Sequence, residues 1–507
     1  MPEAAYPPEP STRERTFIIW AALLALFLGA LDALIMSAAM PSIVADLGGL
    51  SLYAWVYSAY FLSRAVSLPV FGKLADLYGT KRLFVLSISL FLLSSAAAGM
   101  ATTMWFLIVC RVFQGIGAGG NFALVYIVLS QVALPGKRAK TLSLASSVWG
   151  VSSVLGPTMG GFIVSYFSWR WIFFINIPLG FLSLAGIAFF LPSWSGSRGR
   201  RPRLDLAGVF FFSTCVLALL VIFITGGRDI PWTSPTMAAL VAATVLCGAL
   251  FYRCEKRAED PMIKLGFFGS RNFVLGNGAT FLSSLTIFSF FAYVPLYIQG
   301  SLGMSPFRVG LAMVSLSLGW SCGALFFGRT SSEGWEKLWA IVGAGILLAG
   351  SLSTLTFDLH TSMLQCFIVF LVVGIGMGFV SLSTLIIVQN SVGGEDLGVV
   401  TSFHQFGRSL GGTMGVAICG GLVTAGLFGS LSKAQELLPE NLVHQLRQSA
   451  ENLLRPEFQS QIPQEAVESM HLSVFAGVYS VFLVASLSSL CCLLCCLALK
   501  TKKEKIS

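Results

Sequence analysis

Residues 110–125 read "CRVFQGIGAGGNFALV". The stretch lies inside a long apolar run, yet it places Arg111, Gln114 and the glycines Gly115, Gly117, Gly119 and Gly120 where oily side chains would be expected. An ionised side chain deep in a bilayer costs about 3 kcal/mol or more. Arg111 therefore needs a partner on another helix, and the glycines let such a helix come close.

The rest of the chain has the same character. Of its 507 residues 55% are hydrophobic and 11% charged, and 41 are phenylalanine. A soluble domain carries roughly 25% charged residues. Apolar runs of roughly 18–25 residues recur, each long enough for a bilayer core of about 30 Å. Short alternating strands, the mark of a transmembrane barrel, are missing from the pattern. The fold class is all-α and polytopic. The net charge of +9 does not call for nucleic acid, because basic loops on one side of a membrane give the same sum. The eleven cysteines lie in or beside apolar runs, so no secreted disulfide framework is expected. "CCLLCC" at 491–496 has no nearby histidine or carboxylate and reads as lipid-facing packing, not as a metal site.

Fourteen spans are expected, at about 17–40, 52–71, 83–102, 104–132, 141–166, 172–192, 205–225, 235–252, 273–299, 306–328, 338–356, 362–388, 398–427 and 471–498. The first is too long for a cleavable signal and reads as a retained helix. Loops then alternate between two sides. One set holds 23 Lys and Arg and the other six, which places both termini in the cytoplasm of a cell's plasma (inner) membrane. The outer loop 428–470 has leucines at helical spacing and is expected to form short amphipathic helices on the outer face.

Depth pairs the charges. Helix 1 is expected to end near Pro41, which puts Asp32 about 13 Å below that end, and Arg111 lies about 10 Å below the outer end of helix 4. The two can neutralise each other if their helices face one cavity. Asp32 is the one carboxylate placed deep in a span, so it is the candidate proton carrier, with Arg111 as its partner. A static structural ion pair is the alternative. "GVSSVLGPTMGGFIV" in helix 5 combines Gly156, Gly160 and Gly161 with Pro157, small residues for close approach and a proline that allows a bend. "GKLADLYGTKR" (72–82) is expected to join helices 2 and 3 on the inner side. There Gly72 and Gly79 permit close approach and a tight turn. Asp76 suits a helix N-terminus or a basic partner, and Lys81 and Arg82 suit the inner membrane surface. This is a breakable latch between moving parts rather than a catalytic site.

These motifs, in this order, resemble those of the major facilitator superfamily, specifically its fourteen-helix drug:H+ antiporter branch. "LDALIMSAAMPSIVADL" resembles the branch's helix 1 motif, "GKLADLYGTKR" the loop 2–3 motif, "RVFQGIGAGG" the helix 4 motif and "GVSSVLGPTMGG" the antiporter motif of helix 5. "WRWIFFINIPLG", "YVPLYIQGSLGMSPFRVGL" and "SFHQFGRSLGGTMGVAI" resemble further stretches, so the likeness covers essentially the whole chain. It implies a tail at 1–16, a six-helix bundle at 17–192, two inserted helices at 205–252, a second six-helix bundle at 273–498 and a tail at 499–507. It also implies alternating access driven by a proton gradient, with Arg111 as the relay arginine. The departures bear on substrate. Leu77 stands where a basic residue is usual, His404 where an arginine is usual, and Arg408 at a usually small position. Arg64, about 18 Å into helix 2, stands where the branch has a small or apolar residue.

The expected function is proton-coupled export of amphipathic small molecules by a protein that acts as a monomer, with protons and membrane lipids as its other partners. A non-transporting receptor or lipid scaffold on the same fold is the rival. An enzyme is disfavoured: the sequence has no phosphate-binding loop, no paired metal motif and no Ser-His-Asp arrangement, and no cofactor is expected. Arg64, Gln114, His404 and Arg408 are candidates for the substrate cavity. If Arg64 and Arg408 face it, the excess charge is positive and favours neutral or anionic amphiphiles, lipids among them.

Overall fold

The computed structural model describes residues 11–48, 52–192, 205–226, 230–304, 306–331, 334–392, 396–431 and 464–500. These residues form fourteen long helices: α1 (Thr12–Leu47), α2 (Tyr53–Tyr78), α3 (Thr80–Gly99), α4 (Met104–Val132) and α5 (Arg138–Tyr166); α6 (Trp171–Phe190), broken at Ile175; and α7 (Leu206–Thr225), α8 (Pro235–Arg257), α9 (Arg271–Leu296), α10 (Pro306–Thr330), α11 (Glu336–Ser353), α12 (Met363–Asn390), α13 (Leu397–Leu431) and α14 (Gln464–Leu497). Among the described residues there is no strand beyond an isolated bridge between Gly226 and Ile230. Eleven helices are long and apolar enough to cross a membrane by composition alone, which is compatible with fourteen spans. Arg64 lowers the hydropathy of one of the others, α2.

The ends of several helices are fixed by side chains that satisfy the free N–H groups of a first turn. Thr103 caps α4, Asp205 caps α7 and Ser234 caps α8. Ser362 and Gln365 form a reciprocal box at α12. Between α11 and α12, Asp358 accepts from the His360 N–H at 2.8 Å and from the Thr361 hydroxyl at 3.1 Å. The His360 N–H is the larger cause that holds its carboxyl below the usual range. α9 contains Pro295 and closes with a π-turn, Tyr297–Ser301.

Two expected boundaries are corrected. α1 does not end near Pro41 but continues to Leu47, where Ile43 is buried and Asp46 is held by Arg170 at 2.7 Å and by the Trp169 indole at 3.0 Å. The segment 72–82 is not a loop: α2 runs through Gly72 and Asp76 to Tyr78. Gly79 alone makes the turn into α3, at φ 88°, a backbone conformation that side chains rarely adopt. The outer-loop helices expected within 428–470 and the two tails fall mostly outside the described residues.

α1–α6 pack among themselves, with α4 against α2, α3 and α1; α9–α14 do likewise, with α12 against α10 and α11. α2 and α4 meet α13, and α5 meets α10, across the seam between the two groups. α7 and α8 pair with each other. α7 docks at the seam through Phe212 on Phe406 of α13, at 5.4 Å between ring centroids. α8 is almost wholly uncovered by protein, as a helix facing lipid would be.

Candidate functional site

The glycines of the opening stretch set the geometry. A side chain at Gly115 would strike the Tyr60 carbonyl, and one at Gly119 would lie 2.5 Å from the Arg64 carbonyl, so α2 and α4 touch backbone to backbone. A side chain at Gly117 would lie 2.8 Å from the Ser87 carbonyl of α3. At these positions α4 packs directly on the backbones of α2 and α3. Arg111, on this helix, is fully buried.

Its partner is Asp32. Arg111 Nη1 donates to Asp32 Oδ2 at 2.6 Å and to Gln114 Oε1 at 2.9 Å. Gln114 Nε2 donates to Asp32 Oδ1 at 2.9 Å. Asn176 of α6 reaches the same oxygen at 3.4 Å and also donates to the Ser95 hydroxyl at 3.0 Å. The guanidinium lies over the Tyr60 ring, 4.1 Å from its centre, and the Tyr60 hydroxyl donates to the Gly29 carbonyl at 3.2 Å. Leaving either charge of such a pair unpaired costs about 3–5 kcal/mol. Gln114, expected beside the substrate, instead bridges the two charges, because its amide presents a donor to one and an acceptor to the other. Asn176 and Tyr60 were not among the expected site residues. The polar residue in the apolar run "FFINIPLG" is the signal that could have found Asn176.

Asp76 takes the first of its two expected roles. Its carboxylate accepts from the Gly398 N–H at 3.0 Å and the Val399 N–H at 2.8 Å, in the first turn of α13. The positive end of the helix dipole adds to this attraction. Gly72 makes the approach possible, since a side chain there would strike the Ser402 hydroxyl and lie 2.7 Å from the Gly398 carbonyl. Lys81 is half-buried and Arg82 exposed. Leu77 is buried.

A second tie was not expected. Lys73, buried on α2, pairs with Asp260 at 2.6 Å, and Lys264 pairs with Asp396 at 2.8 Å. The segment between α8 and α9 thus grips both groups of helices, and its own Met262 and Ile263 are buried. Farther along the seam, Gln389 donates to Ser130 at 3.1 Å and Ser321 donates to the Ser146 carbonyl at 2.9 Å. These ties gather toward the end of the molecule that carries the basic loops.

Helix 5 is only partly as expected. A side chain at Gly156 would lie 2.7 Å from Leu34 of α1, so this glycine does permit close packing. Gly160 is buried, but Gly161 has nothing within 4 Å of where a side chain would begin. Helical periodicity turns it away from the contact. Pro157 lies within α5, which continues unbroken around it.

His404, Arg408 and Arg64 are all buried in or near the seam. His404 Nε2 lies 2.7 Å from the Thr280 hydroxyl and 3.2 Å from that of Thr384, so it ties α13 to α9 and α12. Arg408 lies over Tyr126 of α4 and Trp320 of α10, at 5.7 and 5.8 Å. It donates to the Tyr126 hydroxyl at 3.4 Å. Arg64 lies 4.2 Å over the Phe122 ring, and its Nη1 has no hydrogen-bond partner among the described residues. A cation over an aromatic face gains about 0.5–2 kcal/mol. That falls short of the several kcal/mol needed to bury an ion.

A family model described as Major Facilitator Superfamily matches residues 22–416. The chain is 34% identical over 416 residues to the multidrug transporter protein MdtP of Bacillus subtilis, covering 81% of this chain and 76% of that one. It is 32% identical over 399 residues to the efflux pump dotC of Dothistroma septosporum, covering 76% and 68%. The human organic anion transporter MFSD10 has the same fold, with a TM-score of 0.59 over 96% of this chain and 100% of that one, at 12% identity. With its apolar helices and the match over most of its length, the chain is a multi-pass integral membrane transporter that belongs to the Major Facilitator Superfamily.

Proposed function

We propose that this protein exports amphipathic small molecules from the cell in exchange for protons. The observation that carries the reading is the buried Asp32–Arg111–Gln114 cluster, with Asn176 alongside. An isolated structural pair needs no more than two charges. Here one carboxylate gathers donors from α4 and α6 while sitting on α1, so its protonation would loosen three helices at once. A proton on Asp32 removes the charge that holds Arg111 and turns one acceptor oxygen into a donor. The six helices α1–α6 then rearrange relative to α9–α14, with α7 and α8 as an inserted pair. The relatives' names as multidrug transporters and efflux pumps support export and a broad range of substrates.

In this reading the basic end is cytoplasmic and lies in the plasma membrane, and the protein works as a monomer. The Asp76 contact with α13 is the latch that closes the basic end. Gly72, Gly79, Lys81 and Arg82 shape or flank the latch, and Gly156, Pro157, Gly160 and Gly161 let α5 move against its neighbours. The test is transport in proteoliposomes: an imposed proton gradient should move an amphipathic dye uphill, and a protonophore should abolish the movement. Binding without gradient-driven movement would refute the proposal.

A further inference from the structure

Two buried arginines are not used by the proton site, and they come together. Arg64 projects from α2 and Arg408 from α13, on opposite sides of the seam. Both stack on one face of α4: Arg64 on Phe122, Arg408 on Tyr126. Phe122 and Tyr126 are four residues apart, about 6 Å along the helix. Each arginine is more than nine-tenths buried, and among the described residues no carboxylate lies within ion-pairing distance of either. Arg64 Nη1 and the nearby Trp320 Nε1 are buried donors without a partner. The one deep carboxylate, Asp32, is already committed to Arg111 and Gln114.

Two cations and an unpartnered indole N–H gathered at one seam form a donor-rich set with no anionic acceptor among the described residues, only neutral oxygens such as the Tyr126 hydroxyl, 3.4 Å from Arg408. We infer that Arg64 and Arg408 bind the acidic headgroup, carboxylate or sulfonate, of an amphipathic substrate. The rings of Phe61, Phe122, Trp149 and Trp320 line its apolar body: Arg64 also lies 5.4 Å over Phe61, and Trp149 packs edgewise on Phe122 at 5.5 Å. A guanidinium is suited to this task because its planar fork matches two oxygens of such a group. Since one arginine belongs to each helix group, an anion between them would also join the two groups while it is bound. The inference names a substrate class for the exporter proposed above and rests on that reading for its transport aspect. Binding alone can be tested without it.

The experiment uses the purified full chain and two dyes that share a ring system, the anion 8-anilino-1-naphthalenesulfonate and the neutral N-phenyl-1-naphthylamine. Fluorescence titration gives Kd for each. Arg64→Gln and Arg408→Gln should each weaken the anion about tenfold or more, because a charged hydrogen-bond partner is lost, and should leave the neutral dye within about twofold. Equal weakening of both dyes, or no weakening of the anion, would overturn the inference. If the glutamine variants do not fold, Arg64→Lys and Arg408→Lys keep the charge but lose the fork. They should weaken the anion selectively, and an unchanged ratio of the two affinities overturns the inference. Neither result depends on a proton gradient. A protein that binds the anion through these arginines but shows no coupled transport would refute the exporter reading and leave this site standing.

Discussion

Asp76→Asn should open the basic end of the molecule. In the wild type one carboxylate accepts from two backbone N–H groups, Gly398 and Val399, at 3.0 and 2.8 Å. An asparagine offers one acceptor oxygen and turns an NH2 toward the second N–H, so at least one bond is lost. Hydrogen bonds to a charged group contribute about 1.5–3 kcal/mol each, and the helix dipole adds about 0.3–1 kcal/mol. Asparagine escapes the cost of burying a charge, which offsets part of this loss. A net change of about 1–3 kcal/mol remains, equivalent to a shift of about 5–150-fold in the balance between closed and open forms. Spin labels at Lys140 on α5 and Arg329 on α10 would report it. Both are exposed, and the two helices touch nearby, where a side chain at Gly328 would lie 3.0 Å from the Ala139 carbonyl. The wild type should give mainly the short distance, and Asp76→Asn a large second population at longer distance. An unchanged distance distribution, with folding intact, would refute the latch.

Asp260→Asn should destabilise the protein more than an exposed pair would, by about 1–3 kcal/mol, since it strands the buried Lys73 ammonium; the change in thermal midpoint measures this. Gly119→Val should prevent α2 and α4 from meeting and cost about 3 kcal/mol or more, seen as loss of monodisperse protein on size exclusion; normal yield and melting would contradict the close contact. Asp358 has a depressed folded-state pKa, so its contribution is present above the ordinary carboxylate value of about 4 and disappears as pH falls through the folded value. The difference in melting temperature between wild type and Asp358→Asn should therefore be full at neutral pH and close in acid; a difference that grows in acid would reverse the sign. Gln114→Leu should shift the pH dependence of transport, because it removes one hydrogen bond to Asp32, without changing expression.

Much of this site could be read from the chain. The pairing of Asp32 with Arg111 is legible because each is a charge deep in a span and needs a partner there. Matched depth does not carry it, since with α1 ending at Leu47 Asp32 lies about 22 Å below that end. Asp76 was legible as a helix-terminus anion, although the helix it caps lies more than three hundred residues away in sequence. Other features depend on side-chain direction or on the path of a linker, and spacing does not determine these. Gln114 could have faced a cavity or Asp32, and only the rotation of α4 decides. The Lys73–Asp260 pair requires the segment after α8 to fold back under α2. Arg64 was visible as an anomaly, but its seat on Phe122 depends on how closely Gly119 brings two backbones together. Pro41 suggests an end to α1 in the sequence, but burial of Ile43 and the Asp46–Arg170 pair carry the helix onward to Leu47.

The most direct test of the central claim is transport by Asp32→Asn in proteoliposomes, with the anionic and neutral naphthalene dyes and the cation ethidium as substrates. The variant keeps the shape of the side chain and cannot take up a proton. Dyes that the wild type moves uphill in a proton gradient should show no such movement in Asp32→Asn, while exchange of labelled for unlabelled dye without a gradient persists. Gradient-driven uphill movement by Asp32→Asn at the wild-type rate would contradict the account.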